Sequence, residues 1–213
     1  MKVICICNEK GGTGKTTVAV NLAVEGVREG LKVLLIDADV QGSAFSFYER
    51  RKENDDLPSF QCVLKPSKSL HKDIRDFENF DFVVIDTGGR DSKVFRSAIL
   101  ASDFCLIPTQ PSQLDLWGVA NTLEILEEAQ AFKPIEVRIL LNGMPAKAKI
   151  GQEALEALAE IKVPVFETRL GSRVAFRESI MAGKGVSEAS PSSKAAQEIR
   201  SLWNEVKTWL GLK

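Results

Sequence analysis

Short, largely apolar runs alternate with helical patterns along the whole chain. The runs fall at Val3–Cys7, Lys32–Ile36, Phe60–Leu64, Phe82–Ile85, Phe104–Ile107, Val137–Leu141 and Val163–Phe166, and each reads as a strand. Between and after them, apolar positions at helical spacing predict helices over Lys15–Glu29 (stopped at Gly30), Ser43–Arg51, Leu70–Phe77, Lys93–Ala101, Leu114–Ala131, Gln152–Ile161, Arg173–Ala182 and Lys194–Leu210. Residues 52–58 are a polar loop. Strands that are apolar throughout, rather than alternating, are buried on both faces, as in a parallel sheet covered by helices. The expected fold class is therefore α/β: a doubly wound, mostly parallel β-sheet with helices on both faces, its ligand at the carboxyl ends of the strands. No stretch has the composition of a linker, a repeat or a low-complexity segment, so residues 1–213 are expected to form a single domain.

Composition narrows the function classes. Hydrophobic residues make up 44% and charged residues 27%, ordinary proportions for a globular protein. A net charge of −1 excludes a globally basic nucleic-acid binder but leaves room for a local basic patch. Met1-Lys2 leads straight into a strand-like run, so no secretory signal is expected. No apolar stretch approaches the roughly 20 residues needed to span a bilayer. Cys5, Cys7, Cys62 and Cys105 sit in apolar strand contexts without metal-ligand spacing. Cys5 and Cys7 share one strand face, which admits a zinc or redox reading, but buried free thiols are the better one.

Four polar clusters follow strand ends. The first is Glu9-Lys10-Gly11-Gly12-Thr13-Gly14-Lys15-Thr16-Thr17, between a strand and a helix. A glycine-rich turn in that setting cradles phosphate with its backbone N–H groups, while a lysine reaches the β- and γ-phosphates and a hydroxyl binds Mg²⁺. The common pattern G-x-x-x-x-G-K-[ST] fails, because Glu9 stands where glycine belongs; the rarer K-G-G-x-G-K-T-T matches in full and adds Lys10. The second cluster is Asp37-Ala38-Asp39-Val40-Gln41-Gly42. Its two carboxylates suit metal-bound water and an attacking water, with a helix N-cap as the competing reading. The third, Phe82 to Gly89, is an apolar strand ending in Asp86, the form of the metal-supporting half of a nucleotide triphosphatase site. There Gly88-Gly89 let the backbone approach a γ-phosphate. The fourth is Leu140-Leu141-Asn142-Gly143-Met144-Pro145, where an Asn side chain offers an adenine edge both a donor and an acceptor.

These residues together resemble the deviant Walker A ATPases of the ParA/MinD type, a P-loop NTPase-like family, and most closely its small ParA-like (ParF-like) partition ATPases. The match rests on Lys10–Thr17, on Asp37–Gly42 and on Phe82–Thr87, with Ile107–Ser112 and Val165–Leu170 similar to later family segments. The resemblance implies two subunits that sandwich two ATP molecules. Lys10 would cross to the partner's nucleotide, Lys15 would bind the β/γ-phosphates in its own subunit, and Gly11, Gly12, Thr13, Gly14, Thr16 and Thr17 would complete the cradle. Thr16, Asp39 and Asp86 would form the metal site: Thr16 would coordinate Mg²⁺, Asp39 would also orient the attacking water, and Asp86 would hold the metal's water shell. Asn142 would read adenine, and Thr168 and Arg169 join the nucleotide-binding set.

The implied activity is Mg²⁺-dependent ATP hydrolysis, ATP and ADP being the nucleotides. The implied partners are a second copy of the chain, a ParB-like centromere-binding or adaptor protein, and non-specific DNA, in a cytoplasmic, nucleoid-associated setting. Arg169, Arg173, Arg177, Lys184, Lys194, Arg200 and Lys207 are candidate DNA-phosphate contacts, each also readable as part of a solvated helix face. Two departures matter. Gly88-Gly89-Arg90 replaces a proline-containing turn, and the loop begins within ten residues of Met1, so no N-terminal DNA-binding extension and no autorepression is expected. The alternative is a MinD-like membrane-surface ATPase, using the stripe Ile199, Leu202, Trp203, Val206, Trp209 and Leu210. Packing on the sheet is the simpler use of that stripe, and a membrane partner is not expected. A metal-cluster carrier or ligase is disfavoured by the lack of a Cys-x-x-Cys pair and of a substrate domain.

Overall fold

The computed structural model of the chain describes residues 1–90, 92–145, 158 and 161–212. Its strands are β1 (Lys2–Ile6), β2 (Val33–Asp37), β3 (Gln61–Leu64), β4 (Phe82–Asp86), β5 (Phe104–Thr109) and β6 (Glu136–Leu141). They form one sheet in the order β3-β2-β4-β1-β5-β6, and every pairing is parallel. The helices are α1 (Lys15–Arg28), α2 (Ser43–Arg51), α3 (Leu70–Asp73, prolonged by a 3₁₀ turn over Ile74–Phe77), α4 (Lys93–Ala101), α5 (Gln113–Gln130), α6 (Val174–Met181), α7 (Val186–Ala189) and α8 (Lys194–Leu210).

Strands β2, β4 and β5 are buried at every position, which accounts for their unbroken apolar sequence. Each face of the sheet carries its own apolar core. Side chains of α1, α2, α6, α7 and α8 cover one face, and those of α3, α4 and α5 the other. β1 and β4 lie side by side, yet the helices that follow them, α1 and α4, leave to opposite faces. That divergence opens the crevice where a doubly wound sheet binds its ligand.

α8 places Ile199, Leu202, Trp203, Val206 and Leu210 in the core, with the Trp203 ring 5.4 Å from that of Phe82. Trp209 packs its edge against Phe104 and Phe166, at 4.9 and 5.5 Å between ring centroids. Its indole N–H donates to Glu136 Oε2 at 2.6 Å. The apolar stripe is thus used internally, leaving the membrane-surface reading without its face. Among the described residues no helix is long and apolar enough to cross a membrane. α8 also grips α1. Gly26 approaches so closely that a Cβ there would come within 3.1 Å of Phe82 and 3.5 Å of Trp203, and Lys207 Nζ meets Glu29 Oε1 at 2.8 Å just past the helix end.

One expected strand is corrected. Val163–Phe166 makes only an isolated bridge, Val165 to Ile139, in which the Ile139 N–H donates to Pro164 O and the Phe166 N–H to Ile139 O. Pro164 has no N–H to extend a ladder. The expected helix Gln152–Ile161 lies outside the described residues except for Leu158 and Ile161. The four-residue α7 is too short to show a period in sequence.

Candidate functional site

Every sequence cluster singled out at a strand end converges on the crevice. The register sets Ile6 beside Asp86 and Asp86 beside Asp37, so the phosphate loop and both acidic strand ends share one edge of the sheet. The loop leaves β1 through Asn8, a fully buried side chain. The Asn8 amide donates to Pro108 O at 2.9 Å, and its carbonyl oxygen accepts the Lys10 N–H at 2.9 Å, turning the chain out of the sheet. The Glu9 N–H donates to Thr122 Oγ1 on α5 at 2.9 Å. Gly12 (φ 79°) and Gly14 (φ 90°) adopt the left-handed conformation that side chains disfavour. The loop closes directly onto the N-terminus of α1, where no side chain caps the first turn. Those free N–H groups and the helix dipole make an anion site.

The two lysines sit in different surroundings. Lys15 is buried, and its Nζ donates to Lys10 O at 3.0 Å beneath the loop. Burial lowers its pKa, while Asp86 opposes that shift. Lys10 instead points to α5, where its Nζ is 3.0 Å from the buried Asp115 carboxylate. Asp115 in turn shares a short hydrogen bond with the hydroxyl of Ser112, the N-cap of α5.

Asp86 is the most perturbed carboxyl of the site. Burial, reinforced by Asp37 and Asp39, pushes its pKa up to about 7, although Thr16 and Lys15 pull the other way. Thr16 Oγ1 donates to Asp86 Oδ2 at 2.7 Å, whereas Asp86 Oδ1 is buried without a partner. A hydroxyl and an unpaired carboxylate oxygen are the hard oxygen donors Mg²⁺ selects, so the residues fit that ion. The two acids of the second cluster divide their roles. Asp37 accepts the N–H groups of Asp39 (3.0 Å) and Phe45 (2.9 Å), so it organises the turn into α2, and burial raises its pKa. The pairing of two active carboxylates there therefore reduces to one, Asp39. The Asp39 carboxylate accepts only the Gln41 N–H among the described hydrogen bonds and faces Gly88, where a Cβ would lie 3.3 Å from it. A Cβ on Gly89 would fall 2.8 Å from Gly11 N, so the two loops touch backbone to backbone.

Asn142 reaches the loop too. Its Nδ2 donates to Thr13 O at 2.7 Å and would lie 2.1 Å from a Cβ on Gly14, which fixes that position as glycine. The segment after β6 gives less. The Thr168 N–H is held by Glu205 Oε1 at 2.8 Å and Arg169 is exposed, and no hydrogen bond among the described residues joins either to the loop. Sequence reasoning missed Asn8, Asp115, Thr122 and Gln110, whose Nε2 donates to Gly12 O at 3.0 Å. Only Asn8, a turn-forming residue at a strand end, carried a local signal.

Comparison with known proteins agrees with this geometry. The model of the CobQ/CobB/MinD/ParA nucleotide-binding domain matches residues 4–186. The chain is 29% identical to the maintenance of carboxysome distribution protein A of Halothiobacillus neapolitanus, over 95% of both chains. It is 30% identical to the chromosome-partitioning ATPase Soj of Thermus thermophilus, covering 95% of this chain and 94% of Soj. Among solved structures it resembles apo McdA of Cyanothece (TM-score 0.82, 20% identity, covering 97% and 99% of the two chains). It also resembles MinD of Pyrococcus horikoshii in complex with Mg-ADP (TM-score 0.78, 21% identity, covering 99% and 98%). A phosphate loop with two lysines, two acidic strand ends facing it and a family match across most of the chain lead to one conclusion: this chain belongs to the CobQ/CobB/MinD/ParA family, as a ParA/MinD-type ATPase.

Proposed function

We propose that the chain is a ParA-like positioning ATPase. Two subunits close over ATP and Mg²⁺, the closed dimer holds DNA without sequence preference, and a ParB-like adaptor stimulates hydrolysis and release to segregate plasmid or chromosomal DNA. The observation that carries this reading is the split between the lysines. Lys15 lies under its own loop, while Lys10 is held outside it by a single ion pair and is available to a second subunit. In the proposed cycle Lys15 and the N–H groups of Gly11–Thr17 bind the phosphates, Thr16 and Asp86 hold Mg²⁺, and Asp39 orients the attacking water. The ion supplies positive charge to the phosphoryl oxygens. Lys10 of each subunit adds charge to the other's nucleotide, so hydrolysis depends on dimerisation.

Three of the candidate DNA contacts are already engaged within the subunit. Arg173 pairs with Glu198 at 2.6 Å, Lys207 with Glu29 at 2.8 Å, and Arg200 donates to Pro191 O at 2.9 Å. Arg169, Arg177 and Lys194 are exposed and are the better candidates. In the test, Lys10→Ala retains ATP binding but loses stimulated hydrolysis, whereas Lys15→Ala loses binding itself. DNA retention that requires ATP and weakens with salt completes the expected result. Equal loss of ATP binding in both variants, or DNA binding indifferent to nucleotide and salt, overturns the reading. The relatives that maintain carboxysome distribution favour a second cargo for the same cycle, carboxysomes or bodies like them. Plasmid loss in a deletion strain supports the DNA cargo, and mis-spaced bodies with stable plasmids support the second.

A further inference from the structure

Three cysteines converge at the base of the phosphate loop. β1 and β5 pair with Cys5 opposite Cys105, and Cys7 follows on the same strand face as Cys5. The three Sγ atoms lie within 4.8 Å of one another, and all three residues are fully buried. Buried Ser102 brings its Oγ to 3.4 Å from Cys105 Sγ while donating its own proton to Ile99 O at 2.8 Å. Cys62, the fourth thiol, belongs to the core on the opposite face of the sheet.

We propose that Cys5, Cys7 and Cys105 form a binding site for a trivalent thiophilic ion of the As(III) or Sb(III) class. The geometry is close to what such a site needs. Bonds of about 2.3 Å, in the pyramid that the lone pair of such an ion imposes, set the sulfurs about 3.5 Å apart, so a cluster whose sulfurs already lie within 4.8 Å of one another has only to contract. Charge then selects the ion. Three thiolates around a divalent cation leave a net negative charge in the core, which burial disfavours. Three thiolates around a trivalent ion are neutral. Ligand number selects in the same direction: zinc takes four ligands, and the cluster offers three among the described residues. Soft thiolates also discriminate against the Mg²⁺ that the neighbouring oxygen donors suit.

The binding step balances without an oxidant. Arsenous acid, As(OH)₃, meets three thiols. Each new S–As bond replaces an As–O bond, and each departing hydroxide takes a thiol proton to leave as water. Arsenic stays trivalent throughout, and the entering molecule is uncharged, so it can reach a buried site without bringing charge into the core.

The experiment adds sodium arsenite to the full-length protein and reads intact mass under native conditions together with alkylation mapping. One arsenic per chain is expected; with the alkylating reagent present during unfolding in urea, Cys5, Cys7 and Cys105 should label in the arsenite-free protein and stay protected in the loaded one, while Cys62 labels in both. Cys62→Ala should bind unchanged, whereas Cys5→Ala, Cys105→Ala and the volume-conserving Cys105→Ser should each lose at least tenfold in affinity. Far-UV circular dichroism and ATP binding without arsenite check that these variants fold. If none of them does, the alkylation map of the unmodified protein decides. Absence of bound arsenic, label on Cys5 or Cys105 in its presence, undiminished binding by a folded Cys105 variant, or zinc binding as tight as arsenite overturns the proposal. No readout depends on hydrolysis or dimerisation, so the outcome is independent of the proposed function.

Discussion

Replacing Asp115 by Asn removes the charge that holds Lys10 but keeps a side chain able to meet the Ser112 hydroxyl. In the free subunit the Lys10 ammonium lies 3.0 Å from a carboxylate that is 6% exposed, while Lys10 itself is 34% exposed. At that separation the gross attraction is about 5 kcal/mol for an effective dielectric constant of about 20. Water on the open side of Lys10 and the entropy of its long side chain reduce the net to about 1 kcal/mol. A dimer that takes Lys10 from each subunit breaks two such pairs, about 2 kcal/mol in all, or about thirtyfold in its dissociation constant. The assay measures ATP-dependent dimerisation across a protein dilution series, in an Asp39→Ala background expected to prevent turnover. Asp115→Asn should form the dimer at about thirtyfold lower concentration, with its monomer melting close to the parent. Unchanged or weaker dimerisation by a well-folded Asp115→Asn would refute the idea that this ion pair restrains Lys10.

Other expectations concern burial and charge. The folded-state pKa of Asp86, about 7, lies above its unfolded value, so the folded form binds this proton more tightly and stability falls as pH rises from about 4 to about 7. Asp86→Asn should therefore stabilise the nucleotide-free protein by about 2–4 kcal/mol at pH 8, with the gain fading below pH 5 and Mg-nucleotide affinity lost; chemical denaturation across pH checks this. In the parent, Mg-nucleotide affinity should rise with pH through about 7, as measured by calorimetry. The side chains of Arg51 and Glu188 are both buried and bonded in fork geometry at 2.7 and 2.8 Å, so Glu188→Ala should cost about 3–5 kcal/mol by denaturant titration. The double change of both residues to similarly sized apolar ones should recover much of that loss.

The parallel architecture could be read from sequence because four inner strands are apolar without alternation, and α2, α4 and α8 have the bounds their periodicity predicts. The last expected strand failed on a single residue, Pro164, whose missing N–H outweighs its apolar neighbours. The site shows the same division. Lys10, Lys15, Thr16 and Asp86 were visible because a phosphate cradle constrains residue type at fixed spacing. Asp37 and Asp39 looked equivalent, since only the turn into α2 shows that one acid is consumed by backbone N–H groups. Asp115, Gln110 and Thr122 act across 98 to 113 residues of sequence, at a range where local pattern is silent.

The grip of α8 on α1 has a mechanical consequence. α1 is a rod of 14 residues, about 21 Å long, with Lys15 and Thr16 at one end and Glu29 just past the other. Trp203 packs against the rod near its far end and Lys207 pairs with Glu29 there, so a movement of α8 on the sheet bears first on α1. A close-packed interior transmits such strain instead of absorbing it. A shift of α8 is therefore expected to reach the phosphate loop along α1, where it would read out in the hydrogen bond between Thr16 and Asp86.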